Sequence, residues 1–136
     1  MEVIVFTDGG SRGNPGPAGI GVVVMHGSEI IFEQGKTIGI ATNNDAEYQA
    51  FLLSLEWLFK RKADHGITQV TWKLDSKLVV EQLNRKWKIK EPRIREYAQK
   101  CWQILTELSV SFKIQHVLRE ENKHADMLVN QALDQA

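Results

Sequence analysis

Four acidic residues stand where a charged side chain needs a chemical reason. Asp8 closes a run rich in β-branched and aromatic residues, EVIVFTD at 2–8, and shares a strand face with Ile4 and Phe6. Glu47 falls in the first turn of a long apolar helical pattern. Asp75 ends the alternating segment QVTWKLD at 69–75. Asp126 opens the last helical stretch, at the flank of a stripe made by Ala125, Val129 and Leu133. Each has an ordinary structural explanation. Glu47 could complete a capping box begun by Asn44, Asp75 could cap the helix that follows it, Asp126 could complement its helix dipole, and Asp8 could support the glycine-rich turn. Taken together they ask for more. Carboxylates that converge without basic partners repel one another unless a cation is bound. Hard divalent ions take oxygen ligands, and Mg²⁺ is commonly held by few carboxylates plus phosphates and water. Two such ions about 3.5–4 Å apart form a clamp for in-line phosphoryl chemistry.

The elements that must position these residues follow from the hydrophobic period. Residues 2–8 read as a strand. Residues 9–19 hold five glycines and two prolines and read as a turn or loop. Residues 20–25 and 29–38 are again β-rich, separated by His26-Gly27-Ser28, which predicts a hairpin and an antiparallel meander of three strands. The period then changes. Thr42-Asn43-Asn44 is a helix-start cluster, and AEYQAFLLSLEWLFKRK carries so wide an apolar arc that the helix must be largely buried. A half-buried strand at 69–75, a short helix at 76–84, a helix ending near Leu108, a strand at 110–117 and a C-terminal helix at 123–135 complete the order βββαβααβα. The later βα units favour parallel pairing with the first strand. Asp8 and Asp75 then lie at the carboxyl ends of neighbouring strands, where open α/β sheets form ligand sites.

The composition bounds the setting. The chain has 136 residues, with 17 Lys+Arg against 17 Asp+Glu, 43% hydrophobic and 25% charged residues. That size predicts a single domain over 1–136 and excludes a disordered or collagen-like chain. No apolar run reaches the roughly 18 residues a membrane span needs, so no membrane partner is expected. MEVIVFTDGG does not read as a signal peptide. The single Cys101 cannot pair internally, and it shares an apolar helical stripe with Tyr97, Ala98, Trp102 and Leu105. It is expected to be a core residue in a reducing, cytoplasmic protein. Zero net charge argues against a general nucleic-acid binder. The charge is not evenly spread, however. In 85–95, Arg85, Lys86, Lys88, Lys90, Arg93 and Arg95 face only Glu91, a clustering that suits phosphate contact. Trp87, inside that run, is expected to pack into the core as large aromatics do; stacking on a sugar or base is the alternative.

Four blocks carry a resemblance. TDGGSRGNPGPAGIG at 7–21, TNNDAEYQA at 42–50, LDSKLVVEQL at 74–83 and REENKHADMLVNQAL at 119–133 resemble, in order and spacing, the motifs of the type 1 ribonucleases H. The resemblance covers essentially the whole chain. It implies an α/β, ribonuclease H-like fold: a five-stranded mixed sheet with helices on both faces. It implies an endonuclease that hydrolyses the RNA strand of RNA/DNA hybrids, leaving 5′-phosphate and 3′-hydroxyl ends. The implied metal ligands are Asp8, Glu47, Asp75 and Asp126. They would hold two Mg²⁺, with Mn²⁺ able to substitute, and Asp8 would bridge both. Matching positions assign substrate contacts to Asn14, Thr42, Asn43 and Asn44; Gly10, Ser11, Arg12, Gly13 and Lys77 are further substrate-binding candidates, and the local basic strip adds Lys86, Lys88 and Lys90. The glycines at 9, 10 and 13 would let backbone approach the nucleic acid, and the 2′-hydroxyl is the group by which RNA is told from DNA. No Gly-Lys-Ser/Thr follows the glycine-rich segment, so a P-loop reading fails.

Two residues compete for an assisting catalytic role. His116 lies ten residues before Asp126, the spacing of a histidine in the resembled family, and Arg119 lies seven before it, as in some compact members. The alternatives are a half-exposed strand-end histidine and an arginine paired with Glu120 or Glu121. The chain departs from the fuller family pattern at 85–95, where many members insert a basic protrusion that grips the DNA strand. A monomer is expected. Two other readings stay open: a non-catalytic binding module that keeps the fold, and a related nuclease such as an exonuclease or a resolvase.

Overall fold

The computed structural model describes residues 1–136. Strand β1 (Glu2–Ser11) is followed by β2 (Gly16–His26), β3 (Glu29–Ala41), helix α1 (Asn43–His65), β4 (Gln69–Leu74), α2 (Lys77–Leu83), α3 (Pro92–Leu108), β5 (Ser111–His116), a 3-10 turn (Arg119–Glu121) and α4 (Lys123–Asp134). The five strands form one sheet in the order β3-β2-β1-β4-β5. The first three strands pair antiparallel. The β1–β4 and β4–β5 pairs are parallel, as the βα units predict. No helix is long and apolar enough to cross a membrane.

The glycine-rich segment is less of a loop than its composition predicts. β1 continues through Gly9 and Gly10 to Ser11, β2 already starts at Gly16, and only 12–15 form the turn. Here the glycines serve packing. Asp8 pairs with Gly21, and Gly21 pairs with Gly35, across three strands. A Cβ at Gly21 would overlap the Ala125 carbonyl, and one at Gly35 would overlap the Leu128 carbonyl. α4 therefore lies directly on the backbone of β2 and β3. Gly9 points to the opposite face, where a Cβ would overlap the backbone of Ala46 and Glu47 in α1. Gly9 is thus a seat for α1, and it also lines the cavity that holds the carboxylates.

Successive strand residues face opposite sides, so α1 and α4 cover the two faces of the sheet. The α1 face holds the main core, with Val3, Val5, Phe51, Leu55, Trp72, Val79, Ile94 and Leu105 in one cluster. Trp72 is fully buried, and its ring N–H donates to Ser54 Oγ at 2.9 Å. α1 starts where predicted. Thr42 Oγ1 accepts from the Asp45 N–H at 3.1 Å, and the Asp45 carboxylate accepts from the Thr42 N–H at 3.1 Å, a closed capping box. Pro92 opens α3, where its missing N–H costs nothing. Cys101 is fully buried and burial pushes its thiol up to about 12, so it is inert core as expected. Trp87 is not: it is 44% exposed, because it sits in the short, mostly exposed 84–91 connection between α2 and α3.

Candidate active site

Parallel pairing of β1 with β4 sets the site. Asp8 sits near the carboxyl end of β1, and Asp75 immediately follows the last residue of β4. Glu47, one turn into α1, reaches the same point because Gly9 lets α1 lie against β1. The Gly9 N–H donates to Glu47 Oε1, which fixes that carboxylate. Carboxylate oxygens of Asp8, Glu47 and Asp75 all lie within 4.8 Å of one another. Asp126 is outside this tight triad. It lines the same open cavity of about 620 Å³, on the first turn of α4.

The competing explanations separate cleanly. The capping box of α1 uses Thr42 and Asp45, so Glu47 caps nothing. Ser76 Oγ accepts from the Val79 N–H at 3.3 Å and caps α2, so Asp75 is not the cap either. Asp8 lies inside a strand, not in the turn. Asp126 does sit at its helix's positive end, which suits its charge without excluding a second role.

The electrostatics are those of a site short of positive charge. Burial, then the charges of Asp75 and Asp126, push Asp8 up to about 8, against a lowering contact with Glu47. Burial and the Asp8 and Asp75 charges hold Glu47 well above the usual carboxylate range. Burial also raises Asp75, while the Arg119 guanidinium, Asp8 and the Asn122 amide act against it. The two buried side-chain oxygens without any hydrogen-bond partner are Glu47 Oε2, in this triad, and Oδ1 of Asn122, the residue whose amide acts on Asp75. Hard oxygen donors, mutual repulsion and an orphaned carboxylate oxygen fit a divalent cation. The triad could hold a metal.

Around the carboxylates, Gly10, Ser11, Arg12, Asn43 and Asn44 line the cavity. The Ser11 N–H donates to Asn43 Oδ1 at 2.9 Å, and the Asn43 N–H donates to Asn14 Oδ1 at 3.0 Å, so the 12–15 turn is tied to the start of α1. Gly13 lies in that turn, and Thr42 is occupied as the helix cap. Arg12 is held by Asp134 at 2.6 Å. Arg119 lines the cavity and makes no ion pair with Glu120 or Glu121. His116 is exposed at the end of β5 and is not among the lining residues.

The basic strip lies elsewhere. Lys86 and Lys88 flank a separate shallow depression with Trp87, Lys90 is exposed, and the Lys77 ammonium stands 6.0 Å from the Trp87 ring centre. Three of the six basic side chains are already engaged. Arg93 pairs with Asp45 at 2.9 Å, Arg95 donates to the Ile89 carbonyl at 3.0 Å, and Arg85 lies over the Trp102 ring at 4.0 Å.

Sequence reasoning missed two asparagines. Asn122 is buried and its Nδ2 donates to the Thr7 carbonyl at 2.9 Å. Asn130 lines the cavity, and its Nδ2 donates to the Asp126 carbonyl at 3.1 Å. Both stand four residues from Asp126, one helical turn on either side, which is the signal that was available.

Fold and site together define a class: an open mixed α/β sheet carrying an acidic cluster at the carboxyl ends of two adjacent parallel strands. The Reverse transcriptase-like family matches residues 6–132. The chain is 42% identical to Ribonuclease HI of Halobacterium salinarum, over 99% of this chain and 66% of that one. It is 31% identical to Ribonuclease H of Syntrophus aciditrophicus, covering 82% of that protein. The crystal structure of RNase H1 from Halobacterium salinarum superposes with a TM-score of 0.90, at 42% identity, each chain covered in full. LC11-RNase H1, solved in complex with an RNA/DNA hybrid, superposes at 0.92 and 40% identity, over 98% of this chain and 97% of that one. The chain belongs to the ribonuclease H family. It spans 66% of the Halobacterium relative's sequence and 36% of the bifunctional protein of Mycobacterium tuberculosis that it also matches.

Proposed function

We propose that residues 1–136 act as one ribonuclease H domain, a metal-dependent endonuclease that hydrolyses the RNA strand of RNA/DNA hybrids to 5′-phosphate and 3′-hydroxyl ends. The observation that carries this reading is the convergence of Asp8, Glu47 and Asp75 in one open cavity that Asp126 also lines. Relatives that superpose along the whole chain include one bound to such a hybrid. These four carboxylates would hold two divalent cations, Mg²⁺ by preference with Mn²⁺ as a substitute. Bound there, the cations supply an activated water and counter-charge for the departing 3′ oxygen. The chain's own groups do the rest. Glu47 is pinned by the Gly9 N–H, so its carboxylate is presented without reorganisation. Asn43 and Asn44, with Gly10, Ser11 and Arg12, form the cavity edge that meets sugar and phosphate, with Gly13 and Asn14 in the tied turn behind them. Thr42 contributes as the cap that aims α1.

Arg119, on the cavity wall, would meet a phosphate or the leaving group, with His116, further off, as a proton carrier. Lys77, Lys86, Lys88 and Lys90 form a separate contact for the DNA strand. A monomer in the reducing cytoplasm suits the buried, unpaired Cys101. Cleavage of a labelled hybrid with Mg²⁺ or Mn²⁺, with Asp8→Asn as control, tests the reading. Absence of cleavage by the parent at high enzyme concentration sinks it. Double-stranded RNA and DNA substrates separate it from an exonuclease or resolvase, and hybrid binding without turnover would mark a binding module.

A further inference from the structure

Asn122 touches every element that carries the acidic cluster except α1. Its Nδ2 donates to the Thr7 carbonyl, one residue before Asp8, at 2.9 Å. Its amide lies close enough to Asp75 to act on that carboxyl against the burial that raises it. Its own backbone carbonyl accepts the Asp126 N–H at 3.1 Å, the bond that opens α4. The residue is 1% exposed, so these contacts are locked by packing. It makes no side-chain capping bond to its own helix, so capping does not explain why an asparagine is buried there. Its Oδ1 has no partner in the protein, a state that buried carbonyl oxygens rarely keep.

We propose that Asn122 is the positioning residue of the metal site. It spaces Asp8, Asp75 and Asp126 against one another, and it leaves Oδ1 free to accept a hydrogen bond from the hydration shell of a divalent cation. The inference rests on the proposed nuclease reading and deepens it. Groups of this kind orient ligands without binding metal themselves, and their loss typically costs roughly 10- to 100-fold in metal affinity or activity. Asparagine suits the place because one amide supplies both a donor for the strand backbone and an acceptor for the site. Aspartate would lack the donor, and alanine would lack both.

The test compares the parent with Asn122→Ser and Asn122→Ala. Serine is a good helix N-cap but too short to reach the Thr7 carbonyl, so Asn122→Ser keeps the start of α4 if alanine does not. Mn²⁺ affinity is read by calorimetry at a temperature where circular dichroism shows the variant folded, and kcat and KM are read on a labelled hybrid. The expected result is a loss of roughly 10- to 100-fold in Mn²⁺ affinity and in kcat, with KM for the hybrid within about twofold of the parent, because the cavity edge at Asn43 and Asn44 is untouched. A purely structural role would lower thermal stability while leaving the Mn²⁺ affinity of the folded protein at the parent's value. A folded Asn122→Ser that binds Mn²⁺ and turns over like an active parent overturns the inference alone. A parent that neither binds Mn²⁺ nor cleaves overturns the nuclease reading and this inference with it.

Discussion

The acidic cavity and the basic strip are built in opposite ways. The cavity is made of short side chains on four different elements, each seated by packing: Asp8 on β1, Asp75 after β4, Glu47 on α1 and Asp126 on α4. Glycines bring the helices into contact with the strands, and one buried asparagine links three of the four positions. The strip is a single stretch of chain, exposed, with its arginines tied to the protein and its lysines free. A site that must hold its charges against their own repulsion needs the first construction. A surface that meets a phosphate backbone wherever it lies needs only the second. Chemistry should therefore fail abruptly when the cavity is changed, and binding should fade gradually when the strip is.

The largest effect should come from Asp8→Asn. Metal stabilisation of the transition state is worth several kcal/mol, so at about 1.4 kcal/mol per decade the loss in kcat is on the order of a thousandfold. Single-turnover cleavage of a labelled hybrid reads it. A loss below tenfold would mean that Asp8 is not central to the cavity, and the contrast with the strip would collapse.

The second effect is on stability without metal. Asp8 titrates near 3.8 in the unfolded chain and at about 8 in the folded one. The folded state therefore binds more protons between those values, and stability must fall as pH rises through that window and level off above it. The loss should reach a few kcal/mol, since each tenfold change in proton affinity is worth about 1.4 kcal/mol. Urea unfolding at pH 5 and pH 8.5 with a chelator measures it. Excess Mg²⁺ should recover much of the loss at pH 8.5, and Asp8→Asn should flatten the dependence. Stability that instead rises from pH 5 to 8.5 without metal would contradict the repulsive cluster.

Much of the cavity was legible in the sequence, because Asp75, Glu47 and Asp126 are strand-end and helix-start carboxylates whose positions follow from hydrophobic period, and Asp8 stands late in the first strand, which runs three residues further than its pattern predicts. The parallel pairing of the later strands followed for the same reason. The parts that stayed hidden depend on contacts between distant segments. The glycines of 9–19 read as turn formers by composition, yet Gly9 is a helix seat and β1 runs past it. Asp45, next to a more conspicuous asparagine pair, turned out to be both the capping-box residue and the partner of Arg93, 48 positions away. Asn122 has no signal in the sequence beyond its spacing from Asp126, and its purpose comes from its reach to Thr7 across 115 positions. Trp87 was misjudged because burial statistics for tryptophan say nothing of which short connection lies uncovered.

That exposed tryptophan carries the third expectation. If Trp87 stacks on a sugar or base, Trp87→Ala should cost about 1–3 kcal/mol of hybrid affinity, read by titration with a catalytically dead background such as Asp8→Asn. The kcat of Trp87→Ala in the active background should be unchanged, and its melting temperature should change little, since the residue is 44% exposed. A fall in melting temperature with unchanged affinity would assign the ring to folding and leave the strip to its lysines.

The smallest effect is the most diagnostic of how the strip works. Lys86→Ala, Lys88→Ala and Lys90→Ala combined should raise KM several-fold at low salt and leave kcat alone. The separation should narrow as salt rises, because each lysine that meets a phosphate displaces about one counterion. The slope of log affinity against log salt should therefore fall by about one for each of the three that makes contact. Arg93 gives the internal control. Its guanidinium is spent on Asp45, so Arg93→Ala should disturb the start of α1 and lower stability while leaving the salt slope as it was. If the triple variant and Arg93→Ala changed the slope alike, free and tied charges would be equivalent to the substrate. The strip would then act through its summed field, without individual phosphate contacts, and it would differ from the cavity even more than its construction implies.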